Sequence, residues 1–234
     1  MNDGAPVKTI WVTRAFPGAR ATAERVRALG FEALAAPLLE VRALEGDPID
    51  LAGVGAIAFT SANGVRAFAA RSAERGLTVF AVGRSTAAAA EAEGFGRVLA
   101  GDAGVEAVAG RIAAHRRELA GPVLHPGATE PAGDLAGALA ALGVEARSLP
   151  LYETVAVRPG PEVLARIPGL HAALLHSPKA ARALAEILRE VAAPRLHALC
   201  LSEAVAQSLA GVAVGRIAVS PSPDEDSLIN LIAG

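Results

Sequence analysis

The sequence predicts an α/β protein of two similar parallel-sheet lobes, the second inserted into the first through two extended linker segments. Three observations predict it. Short apolar runs alternate with helical patterns along the chain, the signature of successive strand–helix–strand units. The chain also repeats itself: residues 19–40 (ARATAERVRALGFEALAAPLLE) align without gaps on residues 132–153 (AGDLAGALAALGVEARSLPLYE), 113 positions later. The repeat contains two matching extended segments, PLLEVRAL at 37–44 and PLYETVAV at 150–157, where the chain can leave one lobe and return to it.

The strands are expected at 9–13, 33–36, 56–60, 78–82, 97–100, 122–125, 145–149, 172–176, 197–201 and 216–219, each a short apolar run closed by a polar or turn-forming residue. Ala- and Leu-rich helical patterns follow at 18–29, 63–75, 86–93, 105–117, 132–142, 179–191, 204–210 and 226–233. AIAFTSANGVRAFAA at 56–70 and AALLHSPKAARALAE at 172–186 show the unit twice, with Ser61 and Ser177 at the joints, 116 positions apart. VFAVGRSTAAAA answers HALCLSEAVAQS, with Ser85 set against Ser202 at 117 positions. RVLAGDAGVEAVAGRI likewise answers RIAVSPSPDEDSLINLI. So long a period fits two lobes and not a solenoid. The extended segments place the first lobe at 1–37 plus 157–234, the second at 43–150, and the linker at 38–42 and 151–156. A tandem split near residue 118 is the alternative.

Composition narrows the function. The 234 residues are 52% hydrophobic and 20% charged, enough to bury a core. Aromatics are only 3%, so that core must be Ala, Leu and Val. A net charge of −2 argues against general binding to nucleic acid or a membrane surface. The single cysteine, Cys200, excludes an internal disulfide and fits a reducing compartment. The N-terminus shows no signal-peptide pattern, and no apolar stretch approaches membrane-spanning length. A cytoplasmic protein is expected.

In an open parallel sheet, ligands bind beyond the C-terminal strand ends, where helix N-termini aim N–H groups and a positive dipole. Here those edges carry Thr13 and Arg14, Thr60 and Ser61, Ser85 and Thr86, Thr129, Ser177 and Lys179, Ser202, Ser220 and Ser222. Such a set suits several carboxylates on a large ligand. Ser, Thr and Asn cap helices wherever they occur, so one joint alone carries no function. The doubled set points to a cleft shared by the lobes. Sharper motifs are missing: GVGAIAF precedes a strand instead of following one, no phosphate loop or G-x-S-x-G is present, and no Cys/His pair has zinc spacing. His125 and His176, near strand ends, rank below structural packing as general bases, and Cys200 reads as core. Tyr152, the only tyrosine, lies in the return segment, where a phenol can donate a hydrogen bond.

Taken in order, IWVTR, AIAFTSANGV, TVFAVGRSTAAAAEAEGF, PGATEPAGDLAGALAALGVEARSLPLYET and LLHSPKAARAL resemble the uroporphyrinogen-III synthase family, from about Ile10 onward. The resemblance implies two flavodoxin-like α/β lobes joined by a two-stranded linker, with the second lobe inserted into the first. It implies an enzyme that closes hydroxymethylbilane, a linear tetrapyrrole with eight carboxylates, to uroporphyrinogen III with inversion of ring D and loss of water. The hydroxyl leaves with help from the pyrrole nitrogen to give an azafulvene, and a spiro intermediate follows. Closure without inversion is spontaneous, so the protein must mainly hold the chain and exclude water. Neither metal nor organic cofactor is implied. Tyr152 matches the family tyrosine that assists departure of the hydroxyl. Arg14, Thr60, Ser61, Asn63, Ser85, Thr86, Ser177, Lys179 and Ser202 match substrate-binding positions. At Ser202 this chain reads CLSEAVA and sets Glu203 toward an anionic substrate, and PGATEPAGDL lacks the basic residues common there. A monomer is expected, with no nucleic-acid or membrane partner and at most a transient contact with the preceding enzyme of the pathway.

Two readings of other classes compete. A two-lobe solute-binding protein without chemistry suits the repeat equally, though the missing signal peptide counts against it. A pair of flavodoxin-like regulatory domains lacks a phospho-acceptor's acidic cluster and the aromatics for flavin stacking. Fold alone does not choose among them.

Overall fold

The computed structural model describes residues 7–101 and 104–233. The chain forms β1 (Thr9–Val12), α1 (Gly18–Ala28), β2 (Glu32–Ala35), β3 (Leu39–Ala43), β4 (Ala56–Phe59), α2 (Ala62–Arg71), β5 (Val79–Val82), α3 (Gly83–Ala92) and β6 (Val98–Gly101). It continues through α4 (Val105–Ala114), β7 (Val123–Ala128), α5 (Leu135–Ala141), β8 (Ala146–Ala156), α6 (Pro161–Leu164), β9 (Ala172–Leu175), α7 (Pro178–Leu188), β10 (Ala193–Cys200), α8 (Glu203–Gln207), β11 (Val214–Val219) and α9 (Glu225–Asn230). No helix among the described residues is long and apolar enough to cross a membrane.

Two compact units result: Met1–Glu40 with Val155–Gly234, and Val41–Thr154. The sheet of the first runs β11-β10-β9-β1-β2, and that of the second β3-β8-β7-β4-β5-β6. The pairings of β1 with β2 and β9, of β10 with β9 and β11, and of β4, β5, β6, β7 and β8 in the second sheet are parallel. In chain order, the first sheet reads 2-1-3-4-5, the flavodoxin arrangement.

The repeat explains the second sheet. It pairs β4 with β9, β5 with β10, β6 with β11, β7 with β1 and β8 with β2. Exchanging partners turns β11-β10-β9-β1-β2 into β6-β5-β4-β7-β8, which is the second sheet without β3. Both units therefore share one spatial plan, entered by the chain at different strands.

Each sheet is covered on both faces, so its strands are apolar throughout instead of alternating. In β1, Trp11 joins one core while Ile10 and Val12 join the other. In β4, Ile57 and Phe59 face one core and Ala56 and Ala58 face its opposite. Helix α7 packs Ala181, Leu184 and Ile187 beside Trp11, and α1 packs Ala19, Ala23 and Val26 on the other face. Small residues let these helices approach the sheet closely. The second unit adds aromatic bulk, with Phe59 edge-on to Phe68 at 5.8 Å and to Phe95 at 5.7 Å.

One strand boundary needs correction. The strand expected at 145–149 does not end before the return segment: β8 continues unbroken to Ala156, so Tyr152 lies within a strand. It can continue because Pro150 stands opposite Gly127 where the register with β7 shifts, and the missing N–H is absorbed there. The outgoing segment, expected as the other strand of the linker, forms β3 and pairs along the edge of β8. Leu44 N–H donates to Leu151 O and Val157 N–H to Leu38 O, both at 2.9 Å, as antiparallel pairing requires. The short α6 was not expected. It starts at Pro161, whose ring presets the first helical φ and whose missing N–H costs nothing there.

Candidate active site

The strand ends of the second unit converge on one group of hydroxyls. Ser61 follows β4 in extended conformation and caps α2, its Oγ accepting from Gly64 N–H at 3.0 Å. The same Oγ lies 2.8 Å from the Tyr152 phenol oxygen. Helix α2 reaches this position because residue 64 is glycine: a Cβ there would stand 2.7 Å from the Pro126 carbonyl oxygen. The neighbouring Thr60 Oγ1 is 3.0 Å from His125 Nε2. Thus β4 leads into two adjacent hydroxyls, one paired with β7 and the other with β8. The main chain of Tyr152 is fixed as well, its carbonyl accepting from Thr129 N–H at 2.9 Å.

Burial sets the protonation states. His125 is 4% exposed, and desolvation pulls its pKa below the ordinary value, so it stays neutral at pH 7. Tyr152 is 6% exposed. Burial raises its pKa, and the hydrogen bond with Ser61 offsets part of that rise. At neutral pH it is a protonated phenol, able to donate. Close by in sequence, Asn63 Oδ1 accepts from Arg66 at 3.1 Å. Ser85 is exposed in the first turn of α3, whereas Thr86 is buried.

In the first unit, the corresponding strand ends are organised around an acid. Arg14 Nη1 lies 3.1 Å from Glu225 Oε2 and 3.5 Å from Thr22 Oγ1. The Thr22 hydroxyl donates to Glu225, and Arg25 approaches the same carboxylate at 3.6 Å. His176 Nε2 is 3.8 Å from Glu225 Oε1, too far for a hydrogen bond, and its shielded ring nitrogens have no partner among the described residues. Desolvation holds the His176 pKa low. Desolvation pushes Glu225 up, yet the Thr22 hydroxyl and the Arg14 guanidinium outweigh it and hold the carboxyl below its ordinary value. Ser177 caps α7 by accepting from Ala180 N–H at 3.2 Å, with Lys179 half-buried in the same turn. Ser202 precedes α8 without a side-chain cap bond, beside exposed Glu203. Thr13 donates to Leu174 O at 2.6 Å and Ser220 to Ser222 O at 2.6 Å, so both hydroxyls have internal partners.

The family model for uroporphyrinogen-III synthase HemD matches residues 20–230. The chain belongs to the uroporphyrinogen-III synthase family. It is similar to the crystal structure of a uroporphyrinogen-III synthetase from Helicobacter pylori, with a TM-score of 0.68 and 15% identity over 97% of this chain and 98% of that one. A mutant uroporphyrinogen III synthase from the extremely thermophilic bacterium Thermus thermophilus gives a TM-score of 0.52 and 18% identity over 97% and 98% of the two chains. Both likenesses concern the two-lobed α/β fold. No curated protein sequence matches. As a member of this family, the chain cyclises hydroxymethylbilane in tetrapyrrole biosynthesis. The solute-binding and regulatory readings fall with that assignment.

Among uroporphyrinogen-III synthase positions read from sequence, the structure gathers Thr60, Ser61 and Tyr152 into one cluster and adds His125 to it. Arg14 sits in a separate cluster of the first unit, where Glu225 already neutralises it. Thr22 and Glu225 escaped sequence reasoning. The one signal was the acidic run PDEDS, in which Asp224 caps α9 and leaves Glu225 in its first turn. Cys200 is no nucleophile: burial, then the charge of Glu203, push its thiol up to about 12.

Proposed function

We propose that the chain closes hydroxymethylbilane with inversion of ring D and loss of water, and that Tyr152 donates the hydrogen bond that helps the hydroxyl leave. The observation that carries this reading is the buried, protonated phenol beside Ser61, where β8 passes the end of β4. The pyrrole nitrogen supplies the electron pair that breaks the C–O bond, so a phenol of raised pKa need only polarise the departing oxygen. Water leaves, and the substituted α-carbon of ring D attacks the azafulvene to give the spiro intermediate. That intermediate breaks its bond to the neighbouring ring's bridging carbon, forming a second azafulvene, which is attacked by the free α-carbon of ring D. The proton lost from that carbon as ring D regains aromaticity balances the one taken up by the hydroxyl. Catalysis then rests on holding the bilane in the inverting arrangement. Asn63, Ser85, Ser177 and Lys179, at helix N-termini, are the proposed carboxylate contacts, supported by the dipoles behind them. Thr86 and Ser202 belong to the same proposed set. Arg14 joins it only when Glu225 yields its place.

The test supplies fresh hydroxymethylbilane from the preceding enzyme and separates the oxidised porphyrins by isomer. Predominant isomer III that depends on this protein is expected. Isomer I alone, at the spontaneous rate and with folded protein, overturns the inverting reaction. We also propose a monomeric, cytoplasmic enzyme that meets the preceding enzyme only transiently, a reading supported by the small net charge and the single, buried cysteine.

A further inference from the structure

The Ser61 hydroxyl matches a substrate-binding position in sequence, but its surroundings describe another task. Its oxygen accepts from Gly64 N–H at 3.0 Å and lies 2.8 Å from the Tyr152 oxygen. A serine hydroxyl has one proton and two lone pairs. With one lone pair committed to the helix cap, its proton is free to turn to the phenol oxygen, which leaves the phenol's own proton directed elsewhere. Both partners are held by backbone contacts. Ser61 is fixed by the first turn of α2, which Gly64 seats against Pro126, and Tyr152 is fixed within β8 by Thr129.

We propose that Ser61 is a positioning residue for Tyr152, donating to the phenol oxygen so that the phenol proton points toward the substrate. The proposal rests on the reading of Tyr152 given above. It differs from a substrate contact in a measurable way. A substrate ligand contributes to binding whatever stands at residue 152, whereas a positioning residue acts only through the phenol.

Tyr152 is the only tyrosine in the chain, so ultraviolet titration of phenol to phenolate reads this residue alone, without substrate. A hydroxyl donated to the oxygen favours the phenolate. In Ser61→Ala the phenol is therefore expected to titrate at higher pH than in the unsubstituted chain. In the coupled assay kcat is expected to fall about ten-fold with KM nearly unchanged, as for loss of one hydrogen bond made in the transition state. Ser61→Thr restores both. Ser61→Gly lacks the hydroxyl but keeps most of the capping preference, so it repeats the loss without fraying α2 and serves where Ser61→Ala fails to fold. In a Tyr152→Phe background, Ser61→Ala is expected to cost nothing further. An unshifted phenol titration, a rise in KM alone, or a full additional loss on Tyr152→Phe overturns the proposal. Full turnover in Tyr152→Phe by itself overturns the role of Tyr152 instead, and the substrate-free titration keeps the two failures apart.

Discussion

The Glu225 carboxylate stands 3.1 Å from the Arg14 guanidinium, joining the first turn of α9 to the loop that follows β1. Arg14 is the cation that sequence offers to a substrate carboxylate, and the chain supplies a carboxylate of its own. Thr22, Arg25 and His176 surround the same acid, so this is a network and not an isolated surface pair.

That network predicts a specific acid response. The Thr22 hydroxyl and the Arg14 guanidinium hold the Glu225 carboxyl below the 4.5 of a free glutamate, so the folded state favours the ionised form. Its contribution is present above pH 4.5 and is lost as pH falls through the lowered folded-state value. His176, held neutral by burial, adds a loss that begins as pH drops below 6.5. Glu225→Gln is expected to lower stability at neutral pH by about 1 kcal/mol, as for a partly exposed network, and to flatten the decline below pH 4.5. Urea unfolding at several pH values checks both, and an unchanged acid slope removes Glu225 as its source.

Tyr152→Phe removes one hydroxyl and little volume. Turnover is expected to fall about ten- to a hundred-fold, with KM and the urea midpoint nearly unchanged, since one hydrogen bond in the transition state is worth about 1.5–3 kcal/mol. Steady-state kinetics beside an unfolding curve separates this from damage to the fold.

Thr60→Val keeps the shape of the side chain and deletes the partner of His125 Nε2. A buried polar atom left unsatisfied costs about 1–3 kcal/mol. The urea midpoint should drop accordingly. A Thr60→Ser variant, which keeps the hydroxyl, should recover most of the loss.

Gly64→Ala ought to help a helix by propensity, by about 1 kcal/mol. Here the added Cβ meets the Pro126 carbonyl oxygen at 2.7 Å, a backbone atom that cannot swing aside. The substitution is expected to destabilise the second unit and to displace Ser61 from Tyr152. Loss of turnover together with a lower unfolding midpoint is the expected result, and a gain in stability contradicts the packing argument.

Much of the fold is legible because buried parallel strands write themselves as apolar runs, and each expected strand overlaps an observed one. The repeat also carried the strand correspondence between the sheets. The linker was legible too: β3 overlaps the strand expected at 38–42, and the one expected at 151–156 lies within β8. In the site, the joints at Thr60, Ser61 and Ser177 were visible as residue types at strand ends. Their partners were not. Tyr152 meets Ser61 from 91 positions away, His125 meets Thr60 from 65, and Glu225 meets Thr22 from 203. Contacts of that span depend on sheet order, and no local pattern encodes them. Hydroxyls read as open to a ligand therefore proved in several cases to be spoken for within the protein.

The entry of the chain into its two sheets at different strands also fixes the order in which they can be completed during synthesis. Residues 41–154 form the second unit without interruption, so it can close while residues 155–234 are still to be made. Domains usually assemble from the N-terminus as they emerge. Here β1 and β2 emerge first and wait longest, because the neighbour of β1 on its other side is β9. Ile10, Trp11 and Val12, all fully buried in the finished protein, must stay uncovered through that interval. The earliest-born strand thus completes its sheet last, and a released chain that stops near residue 155 would carry every strand of the second unit but a β1 that still lacks β9.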